Sequence, residues 1–381
     1  MQIDWTEEQQ QRYHQVVEFA TTQLDYDINS LDGRPDLYLD AWRKCAAFGV
    51  FGWYFPPQYG GFGIDVTTTI RMLEGLGYGC ADNGLTLGIN GQMWSVQGPI
   101  LHFGSEQQKE KYLAPLCKGE MLAAHGMTEK ESGSDAFSLS TRAKKVPGGY
   151  LLNGEKRYIG LAPVADIALV FASTDKSAGQ WGISAFIVER DFAGYEVSVV
   201  DSKMGLKTNP FGNIRLTDCF VPEENRLGPE GSGVSLFVQS MDWVRGFIFA
   251  SHVGSMARQL DQCIEYACER EQFGQPIGQF QAVSHRIAEM RLRLETSRLM
   301  LYQIASLKQE GKSAPMEAAM AKLHISEAFV QNSQDAIRIH GALGYLAEQG
   351  VERDLRDAMG GVIYDGSSDI QRNIIAKSLG I

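Results

Sequence analysis

No run of about 18 uninterrupted apolar residues occurs anywhere in this sequence of 381 residues, so no transmembrane helix is expected. The first stretch, Met1 to Asp25, is acidic and glutamine-rich. It lacks both the basic-then-apolar order of a signal peptide and the Arg-rich character of a transit peptide, which points to a cytoplasmic protein. Positive charge is scarce. Lys and Arg number 35 against 46 Asp and Glu, and the formal net charge of -11 sets up a field that repels phosphate. Neither nucleic acid nor an anionic membrane is therefore expected as a partner, although a local basic pocket for a phosphorylated ligand remains open. The six cysteines, Cys45, Cys80, Cys117, Cys219, Cys263 and Cys268, form no CxxC pair and no metal-ligand spacing with histidine. That argues against a metal site and a disulfide scaffold, and leaves them as buried small hydrophobes in a reducing compartment. Low-complexity tracts and repeats of 20 to 50 residues are absent as well.

What is present is enough apolar material, 44% of residues with 21% charged, for a folded chain of about two to three packed units. Residues 1–120 read as helices broken by the Gly-rich turn Pro56 to Gly63, with Ser105 and Gln108 spaced as a capping box opening a helix toward Pro115. Residues 121–228 turn to short β-rich runs: Tyr150 to Asn153, Ile167 to Ala172, Ile183 to Glu189, Tyr195 to Val200 and Asn213 to Thr217. Their spacing predicts a small barrel or sandwich. Residues 229–381 return to helix, with one stripe at Phe237, Met241, Val244 and Ile248 and a longer one from Val283 through Met290, Leu294, Ser297 and Leu301 to Ile304. The fold class is thus mainly α with a central β domain and a C-terminal four-helix bundle.

Three local segments carry chemistry. Met127 to Asp135 offers hydroxyls, Gly133 and free backbone N–H groups to a polar ring or pyrophosphate, yet Ser-Gly-Ser-Asp is also an ordinary turn. Arg270 to Gln281 pairs a phosphate-matching guanidinium with Phe273 beside a glycine, yet an Arg before Gly and Pro also ends a helix. Ile363 to Arg372 places Asp365 ahead of a helix, where it could act as an acid or merely as an N-terminal cap.

In this order and at these separations the three segments resemble the acyl-CoA dehydrogenase family, whose patterns are MTEPxAGSD, RxxFGxxIxxFQ and YEGTSxIQR. They stand here as Met127-Thr128-Glu129 with Gly133-Ser134-Asp135, as Arg270 through Gln281, and as Tyr364-Asp365-Gly366-Ser367-Ser368 with Ile370-Gln371-Arg372. Pro57 to Gly61, Gly104 to Lys109, Ala321-Lys322 with Ser326-Glu327, and His340 to Tyr345 also match, so the resemblance covers essentially the whole chain.

The resemblance implies FAD as cofactor and α,β-dehydrogenation of an acyl thioester, on CoA or on an acyl carrier protein. Asp365 stands where the family has its base, a glutamate. FAD contacts are implied for Met127, Thr128, Gly133, Ser134, Tyr158, Ile159, Gly160, Ser367 and Asp369. Arg270, Phe273 and Gln281, with Arg338, Gly341 and Ala342, are implied at the FAD of a neighbouring subunit, which predicts a homodimer or homotetramer. Arg338 is equally readable as a surface arginine. Substrate contacts are implied for Ser134, Asp242, Arg245 and Gly366, and the electron acceptor is expected to be an electron-transfer flavoprotein or another oxidant.

The sequence departs from the family pattern at informative places. Aspartate is one methylene shorter than glutamate, and a displacement of about an ångström can cost about 100-fold. The helix position where some members keep the base is Val244, which cannot serve, and nearby Asp242 is kept as a second candidate. The usual W-x-T or W-x-S becomes Tyr158-Ile159-Gly160, retaining an aromatic face and losing a hydroxyl. Two alternatives follow: a flavin oxidase resembling nitroalkane oxidase, which would make hydrogen peroxide from a nitroalkane, and a non-catalytic flavin-binding scaffold, whose flavin no acyl substrate would bleach.

Overall fold

The structure is a computed structural model and describes residues 5–28, 35–200 and 202–381, so the first four residues of the acidic N-terminal stretch lie outside it. Its first third is helical: α1 (Glu7–Gln23), α2 (Pro35–Ala47), α3 (Val66–Gly79), α4 (Asn83–Gln92), α5 (Gly98–Phe103), α6 (Glu106–Gln108) and α7 (Ala114–Cys117). Helix starts follow side-chain chemistry. The Asp65 and Asp82 carboxylates accept from the free N–H groups that open α3 and α4. Ser105 and Gln108 make the predicted capping box, at 3.2 and 3.0 Å.

The middle third is one mixed sheet of β1 (Ala123–Gly126), β2 (Arg142–Val146), β3 (Gly149–Gly160), β4 (Ile167–Ser173), β5 (Ile183–Glu189), β6 (Tyr195–Val199), β7 (Phe211–Pro222) and β8 (Arg226–Leu227). The strand order is β6-β7-β3-β2-β4-β5-β8, with β1 parallel to β4. Tyr150 to Asn153 and Asn213 to Thr217 belong to the two long strands β3 and β7, which pair antiparallel; β1 and β2 escaped the sequence reading because each is short and one is mostly charged. Among the described residues no pairing joins β6 to β8, so the sheet is open and curls around its own small core of Tyr150, Leu152, Val170, Phe186, Ile214 and their neighbours. Strand β4 is apolar from Ile167 to Ala172 because it is buried twice. Ala168, Val170 and Ala172 face that core, while Ile167, Leu169 and Phe171 face the helices.

The last third holds α8 (Gly233–Phe247), α9 (Ala250–Glu269), the hairpin β9 (Glu271–Gln272) and β10 (Gln275–Pro276), α10 (Gln281–Gln309), α11 (Pro315–His340), α12 (Ala342–Tyr345), α13 (Val351–Gly361) and α14 (Ser368–Ser378). Met241 and Val244 are buried along α8 with Ile248 just past its end, and Met290, Leu294, Ser297, Leu301 and Ile304 along α10, while Phe237 and Val283, at the start of each stripe, are only partly buried. Helix α3 lies against α9 so closely that a Cβ at Gly254 would sit 1.9 Å from the Glu74 carbonyl oxygen. The first and last thirds therefore share one continuous core. No helix among the described residues is long and apolar enough to cross a membrane. Five of the six cysteines are buried as expected, but Cys268 is exposed, because it faces outward on the last turn of α9.

Candidate active site

Asp365 sits in the turn between α13 and α14 with a left-handed φ of 54°, a conformation that costs a non-glycine residue free energy and persists only where the surroundings impose it. The imposing group is Gln371. Its buried amide donates to the backbone carbonyls of Asp365 and Gly366, at 3.3 and 2.8 Å, and Gly366 completes the turn at φ 88°. The reading of Asp365 as a helix cap fails here: the cap of α14 is Ser367, whose Oγ accepts from the Ile370 N–H at 3.4 Å. A cap must sit immediately ahead of the first helical residue, and Asp365 stands too far back. Replacing Ser367 by Ala is expected to lower stability by about 1 kcal/mol in urea unfolding.

With the cap role gone, Asp365 is a half-buried residue whose carboxylate accepts no hydrogen bond from any described residue. Burial raises its pKa; Lys322 on α11 and Arg245 on α8 pull the other way. Arg245 is itself unbonded at a buried Nε, and burial depresses its pKa while Asp365 and Asp242 oppose that. Tyr364 stacks on Phe249 with ring centroids 5.5 Å apart, its hydroxyl 3.5 Å from His252 Nε2. Val244, where a relocated base would stand, is fully buried and apolar. Asp242 is otherwise engaged through one oxygen: its Oδ2 accepts from Lys308 and from the Ala314 N–H at 3.3 Å, tying α8 to α10 and to the start of α11, while its Oδ1 is buried without a partner among the described residues.

A second group lies at the edge of the sheet. The loop from Met127 is held by Glu129, which accepts from Ser140 N–H and Oγ at 2.6 Å each, from Thr141 N–H at 3.0 Å and from the buried Lys156 ammonium at 2.7 Å. The Thr128 carbonyl accepts from the Arg157 N–H at 2.8 Å, which sets the loop beside β3. There the β3–β7 register shifts, and Tyr158 takes φ 63° and stands 58% exposed, while Ile159 turns into the sheet's core. Gly133 and Ser134 are exposed beyond the loop. Behind Gly160, Asn209 presents a buried Oδ1 with no partner, 3.5 Å from where a Cβ on Gly160 would lie. An open aromatic face, a hydroxyl and an orphaned buried acceptor along one edge fit a planar ring with a polar rim.

The third group is on the outside of the helical part. Phe273 and Gly274, both at positive φ, form the two-residue turn of the β9–β10 hairpin and hold the Phe273 ring 94% exposed. Arg270, just ahead of the hairpin, and Gln281, which opens α10, are both exposed. Tyr266 stacks on His340 with centroids 4.5 Å apart, which sets the last turns of α9 against the end of α11, just ahead of Gly341 and Ala342. A Cβ on Gly341 would meet nothing within 4 Å. Arg338 is 57% exposed and pairs with Asp335 at 3.4 Å, and the still more exposed Asp369 pairs with Arg372 at 3.0 Å.

Sequence reasoning assigned no role to Lys322, to Asn209 or to the Glu129–Lys156 pair. Lys322 and Glu129 both lay inside quoted motifs, but only burial shows that their charges need partners.

Family models match the chain in three consecutive pieces: the acyl-CoA dehydrogenase N-terminal domain over residues 6–120, the middle domain over 124–219 and the C-terminal domain over 231–380. The chain is 42% identical over 339 residues to an L-prolyl-[peptidyl-carrier protein] dehydrogenase of Pseudomonas fluorescens, covering 89% of each. Among solved structures it is similar to the prolyl acyl carrier protein oxidase AnaB, at 46% identity and a TM-score of 0.98 over 99% of this chain and 100% of that one. It is also similar to PigA with FAD and proline, at 38% identity and a TM-score of 0.94 over 100% and 99%.

Proposed function

The chain belongs to the acyl-CoA dehydrogenase family, and from that premise we propose that it oxidises the L-prolyl thioester of a carrier protein, with Asp365 as the base. It is an FAD-dependent enzyme that dehydrogenates thioesters. The choice of a carrier-bound prolyl group over an acyl-CoA rests on the relatives, two of which are named for prolyl carrier-protein substrates and one of which holds FAD and proline. A compact acyl group also suits a base one methylene shorter than glutamate, because the α-carbon can approach the turn more closely.

The observation that carries the role of Asp365 is its unbonded carboxylate, held in a forced turn within the field of buried Lys322 and half-buried Arg245. A carboxylate tied up in a salt bridge is held away from substrate, as Asp242 is; Asp365 is free to meet the α-hydrogen. The thioester carbonyl makes that hydrogen acidic, and the proton passes to a carboxylate oxygen of Asp365. Arg245, a cation whose field already reaches Asp365, would balance the negative charge that develops on the thioester. FAD, when bound, would supply the two-electron sink that the β-hydride requires and that no side chain here offers. Thr128, Tyr158, Gly160 and Asn209 would hold the ring, with Ser134 at the thioester's approach; Val244 is excluded as a base by its chemistry.

Arg270, Phe273 and Gln281 are exposed, and the Phe273 ring, which meets Phe280 edge-on with centroids 6.0 Å apart, leaves most of its surface open, which supports their use on the FAD of a second copy in a homodimer or homotetramer. Arg270→Ala is expected to weaken FAD binding about 10- to 100-fold, the worth of one charge-assisted contact, read from flavin fluorescence on dilution.

Anaerobic mixing with prolyl carrier protein, acyl-CoA thioesters and free proline tests the substrate. Loss of the yellow flavin absorbance is expected with the carrier thioester; bleaching by straight-chain acyl-CoA alone would remove the prolyl assignment. Re-oxidation then separates an electron-transfer flavoprotein, the acceptor proposed here, from dioxygen. Stoichiometric hydrogen peroxide would make the enzyme an oxidase, an outcome the missing hydroxyl at Gly160 keeps in play.

A further inference from the structure

Lys322 is fully shielded from solvent on α11, and its ammonium makes a single hydrogen bond, donating to the Gly361 carbonyl at 2.8 Å. That carbonyl closes α13 and precedes Asp365 by one turn of chain. The same ammonium lies 5.8 Å from the centroid of Phe249, the ring on which Tyr364 stacks. Among the described residues no carboxylate comes within ion-pair distance of Lys322. A buried ammonium with one neutral acceptor is costly, and a helix end needs only a donor, which a glutamine amide would provide without the cost. The charge itself therefore calls for a reason.

We propose that Lys322 is a positioning residue whose charge, not its hydrogen bond, keeps the Asp365 carboxylate ionised while leaving it unbonded and free to reach the substrate. A direct salt bridge would also hold the base ionised but would fix it in place. A cation anchored to the backbone carbonyl one turn earlier exerts its field without capturing the base. The inference rests on Asp365 being the base.

The groups facing Asp365 are Lys322 from α11, Arg245 from α8 and Tyr364 from its own turn, with Asp242 and Glu327 acting on those two cations. Asp357 on α13 and His252 on α9 stand behind Tyr364. His252 brings no charge at neutral pH, because burial, with Arg258 adding, holds its pKa down at about 3. Burial also brings Lys322 down to about 8, with Asp365 resisting, so the ammonium is retained through the neutral range and lost above it.

The test uses the FAD-loaded enzyme and three variants. Lys322→Gln keeps a donor for the Gly361 carbonyl and removes the charge, Lys322→Met removes both, and Lys322→Arg keeps both. The acidic limb of flavin reduction at saturating prolyl carrier protein is expected to move up by about one pH unit or more in the Gln and Met variants and to stay in place in the Arg variant. A second readout is independent of turnover: the infrared carboxyl stretch of protonated Asp365, identified by its loss in Asp365→Asn, should titrate upward by the same amount. A structural cap alone predicts the opposite pattern, with the unfolding midpoint falling in Met only and both titrations at their wild-type positions in Gln; that result overturns the proposal. Undiminished flavin reduction by Asp365→Asn would instead bring down the base assignment beneath it, so the two failures are told apart.

Discussion

Asp365→Asn should slow flavin reduction by about 1,000-fold or more while FAD stays bound, because the substitution removes a proton acceptor and little else. Asparagine has nearly the same shape, and neither backbone carbonyl held by Gln371 depends on the side chain. The measurement is the single-turnover bleaching rate after anaerobic mixing with the carrier thioester, with bound FAD quantified beforehand. Undiminished bleaching would refute the base. Asp365→Glu is the sharper companion. If the active site is built around a short base, the extra methylene displaces the carboxylate by about an ångström and costs about 100-fold on the natural substrate. A faster glutamate variant would mean that the aspartate is not matched to what it deprotonates.

Severing Glu129 from Lys156 is expected to cost about 3 to 5 kcal/mol, the largest stability effect predicted for any single residue here, because either change strands a charge inside the protein. Glu129 is 4% exposed and Lys156 fully buried. Burial alone would raise the Glu129 carboxyl; the Lys156 ammonium, then Ser140 and Thr141, reverse that and bring it to about 2. The sign of the pH dependence follows. A carboxyl whose pKa falls on folding adds stability that is complete above its unfolded value of 4.5 and is lost as pH drops through that value toward about 2. Urea unfolding of Glu129→Gln and wild type should therefore differ most near neutrality and converge in acid. Lys156→Met should be as damaging at neutral pH, and adding Glu129→Leu to it should recover part of the loss, since a buried apolar pair strands no charge. Both single variants should also release FAD, because Glu129 fixes the loop that carries Thr128. A variant that lost stability yet held FAD as tightly as wild type would separate the clamp from the cofactor site.

Much of this was legible in one dimension. Capping at Ser105 and Gln108, the apolar stripes of α8 and α10, and the twice-buried run of β4 are local patterns, and local patterns survive because hydrogen-bond spacing and side-chain periodicity act over a few residues. The three motifs likewise pointed to the family before any contact was known. Strands β1 and β2 were not legible, since each is stabilised by neighbours rather than by its own composition. The bland reading of Asp365 as a cap could not be dismissed from sequence either, because Asp, Gly and Ser ahead of a helix are all acceptable there; only the turn, with Ser367 in the capping position, decided it.

By itself, then, the order of residues determined the succession of helices and strands, the family and the identity of the acid near the chain's end. Three-dimensional packing decided which charges meet: Lys322 and Arg245 near Asp365, Lys308 on Asp242, Lys156 on Glu129. The division has a physical origin. Secondary structure answers to neighbours along the chain, whereas the free energy of a charge depends on its distance from other charges and on the water excluded around it, and both quantities exist only once distant segments have closed upon one another.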